Sequence, residues 1–182
     1  AAAIPYLNLT ADQLQRYALL LETLGNKPDV FGDNPYARPG VSEEYEDYAI
    51  PGEYMTDQQF ARMIHEAEKY LGYPYVWGGS SPSTSFDCSG FVCWVFTNSG
   101  VHNLPRTTAQ GIYDQCTPVS AADAKAGDII FFTGTYNSPG PVSHVGIYCG
   151  NGVMIHCGDP IKYASINTPY WQSHFYSFGR LN

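Results

Sequence analysis

Ser143-His144-Val145-Gly146-Ile147-Tyr148-Cys149 runs into Gly150-Asn151-Gly152 and out again through Val153-Met154-Ile155-His156-Cys157. Two apolar-rich runs joined by a Gly/Asn turn read as a β-hairpin. A three-residue loop, 150–152, with Gly152 left-handed, pairs Cys149 with Val153, Gly146 with His156 and His144 with Gly158. Side chains alternate along a strand, so His144, Gly146 and His156 share one face. The two histidines become diagonal neighbours with backbones about 7–8 Å apart, close enough for their imidazoles to meet. A two-residue loop would slip the register and send them to opposite faces. Gly146 leaves the space between the rings clear. Cys149 and Cys157 fall at displaced positions, which disfavours a bond between them.

The neighbouring segments agree with a sheet. Asp128-Ile129-Ile130-Phe131-Phe132 is a buried run, and Ile161–Ile166 and Phe175–Arg180 read as further strands. Helical signals precede them. Thr10-Ala11-Asp12-Gln13 is a capping-box pattern opening a helix over 11–24, with Leu14, Tyr17, Ala18, Leu21 and Leu24 on one stripe. Asp57 caps a second helix with Phe60, Ile64, Ala67 and Leu71 as its stripe and Gly72 as its stop. A third carries Phe91, Val92, Val95 and Phe96 and closes at Gly100. Helices first and consecutive strands after predict an α+β fold with an antiparallel sheet. Residues 26–55, rich in proline and acidic side chains, sustain no period. The expected division is an N-terminal extension over 1–55, a helix plus a wrap or linker, and a main domain over 56–182.

Cys88 stands where the Ser/Pro loop 80–85 gives way to the third helix. A thiol needs a base to attack at neutral pH, and imidazole is the usual one. Unpaired N–H groups at a helix start favour thiolate, so the expectation is a reactive sulfur at Cys88 with a lowered pKa. The plain alternative makes both histidines ordinary strand residues. Cys93, farther along the same helix, reads as a small buried hydrophobe.

The 182 residues carry 17 acidic and 9 basic side chains, a net charge of −8. That balance speaks against nucleic acid as a partner. No apolar run reaches the roughly 18 residues of a membrane span. Five cysteines without a Cys-x-x-Cys pair fit neither a disulfide scaffold nor a zinc site. His65-Glu66-Ala67-Glu68-Lys69 starts like a zinc-protease helix, but Lys69 replaces the second histidine, and the segment reads as an exposed helix face. No metal or cofactor is expected. The Ala1-Ala2-Ala3 start reads as a cut point or cloning scar, so export is not legible.

Six pieces in order resemble the NlpC-type bacterial cell-wall cysteine peptidases. They are Tyr75-Val76-Trp77-Gly78-Gly79, Asp87-Cys88-Ser89-Gly90-Phe91, Leu104-Pro105-Arg106-Thr107-Thr108-Ala109-Gln110, Gly127-Asp128-Ile129-Ile130-Phe131-Phe132, Ser143-His144-Val145-Gly146-Ile147-Tyr148 and Met154-Ile155-His156. The resemblance spans 73–182 and implies a papain-like core. It implies Cys88 as nucleophile, His144 as base, His156 as the third, orienting group, and Tyr75, Asp87 and Ser89 along the substrate cleft. It also implies cleavage of peptidoglycan stem peptides between γ-D-glutamate and a diamino acid, by a secreted or wall-associated enzyme expected to be a monomer. Cys157 departs from the small residue usual there.

The residues themselves fit these roles. His156 can accept the second ring N–H of His144 and fix its tautomer, and the Cys88 N–H, with the Tyr75 hydroxyl, can face an oxyanion. Tyr75 as a core aromatic and Asp87 as a plain N-cap are the structural alternatives. Arg106 reads as a structural hydrogen-bonding residue. Two other functions stay open: an amidase or acyl transferase using the same thioester, or a wall-binding module without activity.

Overall fold

The structure is a computed structural model that describes residues 57–182. The expected helix over 11–24, the acidic segment after it and the 55/56 domain boundary lie outside the described residues.

Asp57 caps helix α1 (Gln58–Glu68) by accepting from the Gln59 and Phe60 N–H groups. Phe60, Ile64 and Ala67 are buried, as their spacing predicts. Leu71 is not part of that stripe. The helix ends at Glu68, and Lys69, Tyr70 and Leu71 bond back only three residues. That tighter winding turns Leu71 outward, to 40% exposure. Glu66 corrects another expectation. It is buried rather than part of an exposed face, because Lys69, Tyr70 and Trp94 all donate to its carboxylate.

A two-stranded ribbon, β1 (Ser80–Ser81) and β2 (Ser85–Phe86), leads into α2 (Cys88–Asn98). Then come α3 (Ala109–Tyr113), β3 (Thr117–Val119), β4 (Ile129–Thr133), β5 (Val142–Gly150), β6 (Val153–Cys157), β7 (Ile161–Ser165), α4 (Pro169–His174) and β8 (Phe175–Arg180). The six strands β3 to β8 form one antiparallel sheet in the order β3-β8-β4-β5-β6-β7. Ile129–Phe132 is continuously apolar because both faces of β4 are covered. Ile129 and Phe131 join the main core with Phe60, Ile64, Phe91 and Val95. Ile130 and Phe132 join a second cluster with Met154, Trp171 and Phe178. Each such side chain stabilises by roughly 1.5–3 kcal/mol on burial.

The β5–β6 hairpin keeps the expected register but reaches it another way. Tyr148 pairs with Met154 and Ile147 with Ile155, as a three-residue loop would give. The loop is instead a two-residue turn, since Gly150 pairs with Val153. Asn151 and Gly152 both have positive φ, 54° and 75°, the signature of a type I′ turn. A bulge between Tyr148 and Gly150 absorbs the extra residue, Cys149. One bulge shifts register by one and cancels the slip that a shorter loop imposes. All five cysteines are free thiols.

Candidate active site

The start of α2 is built by glycines that let two backbones touch. Asp87 N–H donates to the Gly79 carbonyl at 3.1 Å, and Gly78 N–H donates to Asp87 Oδ2 at 3.0 Å. A Cβ on Gly90 would lie 2.1 Å from Gly79 O, and one on Gly79 would lie 2.5 Å from Ser85 O. No larger residue fits either place. Asp87 is the N-cap, accepting from Gly90 N–H at 2.7 Å. Its carboxylate also takes a 3.2 Å bond from Ser89 Oγ and a 2.7 Å ion pair from Arg106 Nη2. Arg106 Nη1 donates to Ser89 Oγ at 2.9 Å. Asp87, Ser89 and Arg106 thus form one network beside the helix start.

Cys88 is the first residue of α2 and is buried. The N–H groups of Ser89 and Val145 point at its sulfur. Val145 is on β5, next in sequence to His144, and the β5–β6 pairing ends two residues away, at Ile147 and Ile155. Burial pushes the thiol up to about 12, helped by the Asp87 charge. The two N–H groups and Arg106 oppose that shift without overcoming it. The expected lowering at a helix start is therefore overturned: desolvation outweighs the amide dipoles, and the resting sulfur is a neutral thiol.

His144 and His156 share a face, as their parity requires. Nε2 of His144 lies 2.9 Å from Nδ1 of His156, with the rings nearly perpendicular at 88°. Gly146 makes this possible, since a Cβ there would sit 3.1 Å from both His156 Cβ and Met154 Sδ. Burial lowers His144 to about 3 and lowers His156 well below its ordinary value, so both are neutral. With His144 Nε2 engaged, Nδ1 is the nitrogen left to take a proton. His156 Nε2 has no hydrogen-bond partner among the described residues.

Tyr75 is set by a 3.0 Å bond from its N–H to Asp159 Oδ1. Burial, then the neighbouring Cys88 and Asp87, raise its phenol far above the ordinary value, so the hydroxyl remains a neutral donor. Cys157 is fully buried and donates from Sγ to the Phe86 carbonyl at 3.2 Å. Among the described residues no group of three or more His, Cys, Asp or Glu side chains could hold a metal ion.

One residue of this site escaped the sequence reading. Trp171, in α4, stacks on His144 with centroids 5.3 Å apart and planes 23° apart. The Thr168-Pro169 start of α4 is a legible helix signal. Six residues are too few to show a period, and nothing in the pattern marks which ring the indole covers.

Residues 72–180 match the NlpC/P60 family. The chain belongs to that family. Over 123 residues it is 46% identical to the bifunctional muramidase/DL-endopeptidase CwlT of Bacillus subtilis, covering 67% of this chain and 36% of that protein. A gamma-DL-glutamyl hydrolase of the same organism is 37% identical over 122 residues, covering 66% of this chain and 29% of the relative. The chain thus spans about a third of the length of these relatives. A solved NLP/P60 lipoprotein-like structure from Staphylococcus aureus superposes with a TM-score of 0.66 at 46% identity, over 69% of this chain and 42% of that one. The α+β architecture is that of an NlpC/P60 domain.

Proposed function

We propose that this NlpC/P60 domain is a cysteine endopeptidase that cuts peptidoglycan stem peptides between γ-D-glutamate and a diamino acid. The observation carrying the reading is the buried Cys88 thiol, reached by the N–H of Val145, which directly follows a His144 whose Nε2 lies 2.9 Å from His156 Nδ1. Sγ attacks the γ-carbonyl carbon as His144 Nδ1 takes its proton. The Cys88 N–H and the Tyr75 hydroxyl face the oxyanion. The C–N bond breaks, His144 returns the proton to the leaving amine, and a thioester remains. A water, deprotonated by His144, attacks it, releases the γ-carboxylate and restores the thiol. The resting pair is neutral, so charge separates only during attack, when the two ions stabilise each other in a dry site.

Names of the relatives, a DL-endopeptidase and a gamma-DL-glutamyl hydrolase, support the bond type. The Asp87–Ser89–Arg106 network beside the thiol is the proposed seat of the peptide's amino end. A wall-associated or secreted location follows from the substrate. The domain acts as a monomer, without metal or cofactor. An amidase or transferase would share the thioester and differ in the acceptor. Mass spectrometry of purified muropeptides after incubation decides: a fragment ending in γ-D-glutamate with a new carboxylate supports hydrolysis, a new amide indicates transfer, and unchanged peptides overturn the reading.

A further inference from the structure

The His144 imidazole has two edges and two faces to account for. Its Nε2 edge is tied to His156. One face is covered by the indole of Trp171, nearly parallel at 23°, and the same indole meets His156 edge-on at 5.2 Å. Trp171 is only 4% exposed and also packs on Phe132 at 4.6 Å. One side chain therefore touches both rings of the pair.

Its own placement is well determined. Thr168 caps α4 by accepting from the Trp171 N–H itself, at 3.3 Å. Pro169 opens the helix. At the other end His174 Nδ1 lies 2.7 Å from the Thr133 carbonyl, which ties α4 to β4, the strand paired with His144. A six-residue helix has little stability of its own. This one is held by ties at both ends, and the side chain it delivers inward is the indole.

We propose that Trp171 is a positioning residue for the reaction: its indole fixes the plane of His144 and keeps water off the His144–His156 hydrogen bond. The inference rests on the reading of Cys88 and His144 as the reacting pair. A ring free to tilt about its Cβ–Cγ bond would swing Nδ1 away from the sulfur, and misplacement of about 1 Å costs roughly a hundredfold in rate. A flat aromatic face restricts that tilt where an aliphatic side chain of similar bulk does not. Of the other titratable groups on the elements around the pair, Lys162 of β7 acts on His156, and His174 of α4 is bonded to Thr133. Cys88 of α2 meets the backbone next to His144.

The test uses the full chain with Trp171→Phe, which keeps a flat face, and Trp171→Met, which keeps bulk without one. Two readouts need no natural substrate. These are the titration of the His144 ring by NMR and the rate at which iodoacetamide alkylates Cys88 near pH 7. In Trp171→Met the His144 titration should move up toward its ordinary value, and alkylation should slow about tenfold, equivalent to about 1.4 kcal/mol. Trp171→Phe should move both readouts in the same directions but less far, slowing alkylation about threefold. A Trp171→Met protein that is folded, with both readouts unchanged, overturns the inference. If Trp171→Met does not fold, Trp171→Phe alone decides, because its smaller face should move both readouts part of the way and no movement refutes the role. Stem-peptide hydrolysis by the same variants should lose kcat with KM nearly constant. If the parent protein cuts no stem peptide while the two readouts move as stated, the functional reading fails and the positioning role stands.

Discussion

His144 Nε2 and His156 Nδ1 stand 2.9 Å apart, and solvent reaches neither ring. Burial holds both neutral, so the unfolded chain binds protons in mild acid that the folded chain refuses. Their folded values lie below the ordinary 6.5. The contribution to stability is therefore whole above that pH and declines as pH falls below it, toward about 3 for His144, with burial lowering His156 in the same direction. Each histidine contributes a slope of at most about 1.4 kcal/mol per pH unit. Melting temperatures at constant ionic strength should fall from pH 6.5 to pH 4. The His156→Gln variant should show a shallower fall, and equal slopes in the two proteins would refute burial of neutral imidazoles as a source of acid sensitivity.

Cys88→Ala should abolish hydrolysis while leaving the melting temperature close to the parent's, because the cap at Asp87 and the glycine contacts around it stay intact. Cys93→Ala should keep most activity and lose about 1 kcal/mol from a smaller buried side chain. Kinetics and calorimetry on the pair separate the two thiols. Full activity in Cys88→Ala would remove the nucleophile from the mechanism. Chelator should leave the parent's activity unchanged, and restoration by zinc after such treatment would replace the thiol mechanism with a metal one.

The neutral resting thiol has its own kinetic signature. Burial sets the Cys88 value at about 12, so alkylation by iodoacetamide should climb steadily from pH 7 to 10. A plateau below pH 7 would mean that a thiolate–imidazolium pair already exists at rest.

Much of this site was legible because it follows from parity and caps. The period of two together with an expected three-residue loop puts His144, Gly146 and His156 on one face, and the bulge at Cys149 keeps that outcome although the turn has only two residues. Asp87 could be read as a cap because side-chain capping is local. Charge states were not legible. A helix start lowers a thiol pKa only where solvent or partners keep the anion stable, and the depth of Cys88 depends on packing between α2 and β5, far apart in sequence. Glu66 misled for the same reason, since Trp94, one of its donors, comes from another helix 28 positions away. Trp171 was invisible because its role depends on a ring 27 residues earlier in the chain.

Gly146→Ala tests the space between the imidazoles. The added Cβ would press on His156 Cβ, Met154 Sδ and Ile155 O at 3.1–3.3 Å. Overpacking of this kind costs about 1–3 kcal/mol. Met154 can shift its flexible thioether, whereas His156 can yield only by moving off His144. Hydrolysis should therefore fall at least about tenfold at temperatures where the variant is fully folded. Activity equal to the parent's would show that the imidazole contact does not set the rate.

The last prediction concerns how the substrate is gripped. Asp87 is the carboxylate nearest the thiol, and a free ammonium on the stem peptide's alanine could form a charge-assisted bond with it, worth about 1.5–3 kcal/mol. Each Asp87 oxygen already takes two donors: Oδ1 from Gly90 and Ser89, Oδ2 from Gly78 and Arg106. The two backbone donors hold the helix start and cannot leave. The Ser89 contact, 3.2 Å long, is the weaker of the others, and Ser89 keeps a bond from Arg106 if it is displaced. An ammonium should therefore enter at Oδ1, exchanging one hydroxyl for a charged donor. N-acetylating the alanine, or leaving it joined to the glycan lactyl group, removes that charge and adds bulk. Turnover of the free tetrapeptide should exceed that of its acetylated form by one order of magnitude or more, about 1.4 kcal/mol per factor of ten. Ser89→Ala, which vacates the Oδ1 position, should lower KM for the free peptide and leave the acetylated one unaffected. Equal rates on both peptides in the parent protein would discard the amine anchor and leave Asp87 as a cap and a partner for Arg106.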